Sequence, residues 1–172
     1  SAVKPPIKNI DLENVFTLKE FSDGIVLKKA MMKPENKRVV IIGAGYIGLE
    51  AAEAAVNLKK EVRIIQLGDR VIPGSFDKEI TDIMEEEIRG HKDVFLNLDE
   101  AVSEFEGKDG RVSGVKTNKG VYPADIVILA TGVRPNTKFL EGTGIETLKN
   151  GAIVIDGRGR SSIKDIYAAG DC

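Results

Sequence analysis

At 172 residues, with 42% hydrophobic and 30% charged side chains, the chain can bury one substantial core and has the composition of a soluble globular domain. Its 25 basic and 27 acidic residues leave a formal net charge of -2, so there is no positive excess to neutralise nucleic-acid phosphates. A single cysteine, Cys172, and a single histidine, His91, exclude an internal disulfide and the usual zinc ligand sets.

The same scarcity argues against Ser–His–Asp or Cys–His chemistry and points to a reducing compartment, the cytoplasm. The longest apolar stretch, Val39–Leu49, contains three glycines and is too short to span a bilayer, so neither a metal nor a membrane is expected.

In chain order, residues 1–14 carry Pro5 and Pro6 with little periodicity and read as an incoming arm. Thr17 and Glu20 have capping-box spacing and predict a helix to about Met32, weakened by Gly24. Arg38–Ile42 has no polar alternation, as expected of a strand buried on both faces in a parallel sheet covered by helices. A glycine-rich turn and an alanine-rich helix to about Leu58 follow, then a second buried strand at Val62–Ile65. Asp77 is placed to cap a helix with Ile80, Ile83, Met84 and Ile88 on one face and Gly90 as its stop. Glu85, Glu86 and Glu87 read as its solvated face.

Val94–Leu98 is a third strand. Ala101–Phe105, Val112–Thr117 and Val121–Tyr122 then look like antiparallel strands joined by turns at Asp109-Gly110 and Asn118-Lys119-Gly120. A further buried strand, Asp125–Ala130, ends at Thr131-Gly132. Beyond Pro135 the chain is loop-rich, and its end at Gly170-Asp171-Cys172 reads as a boundary inside a longer protein. The expected fold class is α/β, a Rossmann-like doubly wound parallel sheet with an inserted antiparallel β-meander.

Gly43, Gly45 and Gly48 fit G-x-G-x-x-G between an apolar strand and a helix. Gly43 permits the sharp turn, Gly45 lets a pyrophosphate approach the backbone, and Gly48 lets helix and strand pack closely. The amides and dipole at the helix start favour the anion. The alternative is a turn that merely packs a helix on a sheet. At the end of the second strand, where an acid would accept the ribose hydroxyls, stands Gln66. That leaves NAD against NADP open at this position. Arg63 and Arg70 are close in sequence, but no cation directly follows Gln66, so both read as solvated charges and NAD(H) is preferred over NADP(H).

Three stretches, Gly43-Ala44-Gly45-Tyr46-Ile47-Gly48-Leu49-Glu50, Ala130-Thr131-Gly132-Val133-Arg134-Pro135-Asn136 and Tyr167-Ala168-Ala169-Gly170-Asp171, occur in an order that resembles the pyridine nucleotide-disulfide oxidoreductases. The likeness is strongest to the branch with NADH oxidase, NADH peroxidase and coenzyme A disulfide reductase, and covers nearly the whole chain. It implies a connector arm and helix from the FAD-domain side over 1–35, an NAD(P)-binding domain over 36–136, and a returning FAD-domain segment over 137–172. It implies a homodimeric parent in which NAD(P)H passes hydride to FAD, and a fragment that binds dinucleotide without catalysis.

By the same resemblance Tyr46 lies over the nicotinamide pocket, Ile47 offers backbone to the dinucleotide, Ala44 belongs to the same cofactor-binding turn, and Glu50 lies near the nicotinamide end. Gly132 lets the cofactor lie close, Ser75 falls on the adenosine side, and Asp171 would bond the ribityl chain of FAD. A helix-start tyrosine and a solvated acid in the first turn are the plain alternatives for Tyr46 and Glu50. The family's FAD motif and redox cysteine precede this stretch, and Cys172 reads as structural. The terminal acceptor stays open. A ferredoxin, rubredoxin or nitrite reductase type flavoprotein would carry the same domain, and a standalone dinucleotide-sensing module is the non-catalytic alternative.

Overall fold

The computed structural model describes residues 2–172 and divides into two units, Lys4–Thr131 and Gly132–Cys172, the latter with Ala2 and Val3. The first unit is built on a five-stranded parallel sheet in the order β1-β8-β2-β3-β4. Its strands are β1 (Val15–Thr17), β2 (Arg38–Ile42), β3 (Glu61–Ile65), β4 (Val94–Asn97) and β8 (Ile126–Leu129). Helices α1 (Phe21–Met31), α2 (Tyr46–Asn57) and α3 (Lys78–Gly90) connect them, and β5 (Val102–Lys108), β6 (Arg111–Thr117) and β7 (Val121–Pro123) form a three-stranded antiparallel sheet.

The lack of polar alternation in β2 has a direct cause. Val39 and Ile41 face one core with Leu27 of α1 and Ala51 and Ala55 of α2. Val40 and Ile42 face a second core with Phe105, Val112 and Val115 of the meander. In β8, Ile126 and Ile128 point to the helical side and Val127 and Leu129 to the meander side. Strand side chains alternate between faces, so a strand covered twice needs apolar residues at every position. Helices provide one cover and a β-sheet the other.

Two local expectations shift. Thr17 lies in β1, paired in parallel with Leu129, and does not cap a helix. The cap is Glu20, and the Asp23 carboxylate accepts its backbone N–H at 2.9 Å. The arm before β1 packs against the meander: Ile7 is buried, Lys8 bridges to Glu104 and Glu13 to Arg111. In α3, Met84 and Ile88 pack on the helical core while Ile80 and Ile83 remain exposed, and Gly90 lies inside the helix with His91 as its cap.

The chain steps from β2 to β3 and β4 on one side, while β8 and β1 lie on the other. Between β2 and β8 the strand order reverses. In open parallel sheets, ligands bind at the carboxyl ends of strands flanking such a reversal. The turn after β2 is the glycine-rich one. The second unit has little regular structure: a 3₁₀ turn at Lys138–Leu140 and isolated bridges Thr147–Ile153 and Arg160–Tyr167.

Candidate functional site

The glycine turn is shaped by its neighbours on β8. Gly43 has φ +105°, and a Cβ there would run into the carbonyl oxygen of Ala130. Both backbone angle and space therefore demand glycine at that point. A Cβ on Gly48 would meet the carbonyl oxygen of Gly43, so α2 leaves the strand at close range. Gly45 differs. It has φ -79°, ordinary for any residue, and a Cβ on it would meet nothing within 4 Å. The fold does not need glycine there. The absent side chain leaves open space above the first turn of α2, as a cofactor phosphate requires.

That space adjoins the start of α2. Gly45 is the N-cap of α2, no side chain caps the helix, and no acid lies in its first turn. The start of such a helix carries unpaired N–H groups and the positive end of its dipole, a setting that stabilises an anion. Glu50 lies beyond the first turn and is exposed on α2, so its charge does not compete there. The residues present thus fit a pyrophosphate.

Two segments hold the turn in place. The Ala44 carbonyl accepts the Ile72 N–H at 2.9 Å, and the Ala44 N–H donates to Oε1 of Gln66 at 3.0 Å. Ala44 itself is fully buried. Gln66 follows β3, in line with its expected place, but its carboxamide oxygen is committed to the turn. The Ile72 contact brings back the loop that carries Ser75, which is exposed. The next residue, Phe76, meets the ring of Tyr46 edge-on, with centroids 6.5 Å apart and planes at 62°. Tyr46 is 57% exposed and Ile47 40%, at the outer side of the helix start. Sequence reasoning missed Phe76, an aromatic in a loop with no periodicity to mark it.

Gly132 and Asp171 belong to the second unit. The Gly132 carbonyl accepts the Val3 N–H at 3.0 Å, and Asp171 is exposed beside Cys172, whose thiol donates to the Ala169 carbonyl.

Arg63 corrects the expectation of solvated charge, whereas Arg70 keeps a partly exposed side chain. Arg63 lies between the rings of Phe95 and Tyr122, 4.6 and 4.2 Å from their centroids, and donates to Asn97 Oδ1 at 2.7 Å. Arg70 pairs with Asp69 at 3.6 Å. In the acidic run of α3, Glu85 accepts the Val71 N–H at 3.2 Å and so is not simply solvated. His91 is exposed, as its place after the helix suggests. Among the described residues there is no cluster suited to a metal and no helix long and apolar enough to cross a membrane.

The chain as a whole is similar to proteins of known kind. The chain is 45% identical over 167 residues to the NAD(P)H sulfur oxidoreductase (CoA-dependent) of Pyrococcus abyssi, covering 97% of this chain and 37% of that protein. It superposes on the water-forming NADH oxidase of Lactobacillus brevis, solved with NADH bound, with a TM-score of 0.87 and 39% identity, over 99% of this chain and 37% of that one. An FAD-dependent pyridine nucleotide-disulphide oxidoreductase from Desulfovibrio vulgaris matches with a TM-score of 0.86 and 34% identity, over 99% of this chain and 43% of that one. The chain thus spans well under half the length of these relatives. The model of one family, pyridine nucleotide-disulphide oxidoreductase, matches all of residues 1–172, and with the parallel sheet and glycine turn in place the conclusion is that this chain belongs to that family.

Proposed function

We propose that this chain is the NAD(P)H-binding part of an FAD-dependent oxidoreductase. Its role is to hold a dinucleotide with the pyrophosphate over Gly45 and the nicotinamide toward Tyr46 and Glu50. Residues 36–136 carry that role, with β1 and α1 completing the sheet and its cover. Residues 137–172 and Asp171 contribute to the FAD side, and the parent protein is a cytoplasmic homodimer. The bound dinucleotide supplies hydride, and FAD, held mainly by the rest of the parent, accepts it. This chain's own residues bind and orient, and the chain alone turns nothing over.

The observation that carries the reading is the open space at Gly45 above an uncapped helix start, at the reversal of strand order. NADH is preferred over NADPH. The carboxamide of Gln66 is occupied by Ala44, the residues after it are Leu67, Gly68 and Asp69, and Asp69 is paired with Arg70. No unpaired cation follows β3 directly to receive a 2′-phosphate.

The test is a calorimetric titration of the chain with each nucleotide. NADH binds measurably and more tightly than NADPH. Gly45→Val lowers NADH affinity by about tenfold or more, because a branched side chain fills the phosphate space. The variant stays folded, since the protein leaves room for a Cβ there, and its melting temperature falls only by the cost of valine at a helix N-cap. Wild-type affinity in Gly45→Val, or no response to either nucleotide, overturns the reading.

A further inference from the structure

Glu100 is a buried carboxylate, only 2% exposed, on the turn between β4 and β5. The groups that bond it are neutral. Thr117 Oγ1 donates at 2.6 Å and Asn97 Nδ2 at 2.8 Å, and Asn97 Nδ2 also reaches the Tyr122 hydroxyl at 3.0 Å. Burial pushes its pKa up, but these bonds, together with the Tyr122 hydroxyl and the nearby Lys119 ammonium, outweigh that and hold it below the ordinary carboxylate range, so it is ionised near neutral pH. A charge in this position costs stability compared with an apolar residue of the same size. Its presence calls for a role that an apolar residue would not fill.

The backbone of the same turn faces the other way. The Glu100 N–H donates to the Gln66 carbonyl and the Asp99 N–H to the Gly68 carbonyl, both at 3.0 Å. The segment after β3 is therefore gripped from two sides, by this turn and, through the Gln66 side chain, by Ala44 of the glycine turn. Lys119 Nζ ties the Leu98 carbonyl at 2.8 Å, and Asn118 Oδ1 accepts the Ala101 N–H at 2.9 Å, so the meander holds the turn at both of its ends. The carboxylate joins this turn to Asn97 of β4 and Thr117 of β6.

We propose that Glu100 is a positioning residue for the adenosine end of the dinucleotide. Its carboxylate anchors the 98–101 turn to the meander, and the turn's amides fix residues 66–68 at the separation from the glycine turn that the adenosine ribose requires. This rests on the dinucleotide reading above and adds a residue that touches neither cofactor nor glycine turn. The strand end is where the ribose is read in folds of this type, so a small displacement there acts on ribose contacts before it acts on the pyrophosphate.

The probe is ADP-ribose, which carries the adenosine and pyrophosphate without the nicotinamide. It is titrated into the chain and into Glu100→Gln and Thr117→Val variants, well below the melting temperature of each. Glu100→Gln puts an amide donor against Asn97 and Thr117, while Thr117→Val leaves the carboxylate but removes its shortest bond, together with the N–H bonds that Oγ1 accepts from Lys119 and Gly120. Both lower ADP-ribose affinity by about five- to tenfold, and in the free protein the amide resonances of Gln66, Leu67 and Gly68 shift while those of α1 do not. If Glu100→Gln does not fold, Thr117→Val decides. Lower melting temperatures with wild-type ADP-ribose affinity in the folded variants overturn the proposal and leave Glu100 a structural group. Failure of the unmodified chain to bind ADP-ribose instead overturns the dinucleotide reading, and the proposal with it.

Discussion

On the proposed dinucleotide reading, Gln66 meets two demands with one side chain. Its place at the end of β3 is where this fold reads the adenosine ribose, and its Oε1 braces the glycine turn through Ala44 N–H. A carboxylate could do both, because it accepts more hydrogen bonds than a carboxamide. Gln66→Glu should therefore keep the brace, add a charged acceptor for ribose hydroxyls, and repel a 2′-phosphate. The expected outcome is a rise of about tenfold in the ratio of NADH to NADPH affinity, read by parallel titrations. An unchanged ratio would place the ribose elsewhere. The position of Gln66 was legible from its distance after the glycine turn. Its bond to Ala44 was not, because nothing in a linear sequence says which of two facing amides a carboxamide will choose. Arg63 was misread for a related reason. A charged residue on a strand suggests solvent, and only the register Arg63–Phe95, with Tyr122 on the same face, creates the aromatic slot that holds it.

The elements were legible where periodicity and punctuation agreed. The strands β2, β3 and β8 announced themselves as apolar runs, and the hairpin of β5 and β6 by Asp109-Gly110. β1 escaped notice because it has only three half-buried residues, too few to display a period. The Thr17 capping pattern failed because a threonine also suits a strand, and the pairing with Leu129 took it. The expected cover was helices, and on the second face of the parallel sheet it is the meander instead, since a buried strand looks the same under a helix or under another sheet. Phe105 on β5 settles that question energetically. It is fully buried among Val40, Val115 and Val127. Phe105→Ala should cost about 3–5 kcal/mol of unfolding free energy in urea, a large share of the roughly 5–15 kcal/mol typical of a domain. A loss below about 1 kcal/mol would mean that the meander is an ornament on a sheet already stable without it.

The first unit is closed at the end opposite the glycine turn by one carboxylate. Asp125, just before β8, accepts the backbone N–H groups of Lys37 and Arg38 at 3.0 and 2.8 Å and pairs with the Arg38 guanidinium at 2.6 Å. Its own carbonyl receives the Asn14 side-chain amide at 2.9 Å, which ties in the strand β1 as well. Burial raises the Asp125 pKa, but the Arg38 side-chain and backbone bonds outweigh it and the net shift is downward. The sign of the linkage follows. A carboxyl whose folded pKa lies below its unfolded value contributes stability above the unfolded value, and that contribution is lost as pH falls through the folded one. Asp125→Asn, close in shape but uncharged, should be less stable than the parent by about 1–2 kcal/mol near neutral pH. The gap should persist down to about pH 4, the ordinary aspartate value, and close below it as the parent's own Asp125 becomes neutral. Because this carboxylate lies at the amino ends of β2 and β8, dinucleotide affinity at neutral pH should be unchanged in the variant. Thermal unfolding of both proteins across the acid range provides the check: a gap that stays constant through pH 3 would assign the contribution of Asp125 to shape alone, and the charge would have no part in joining the strands.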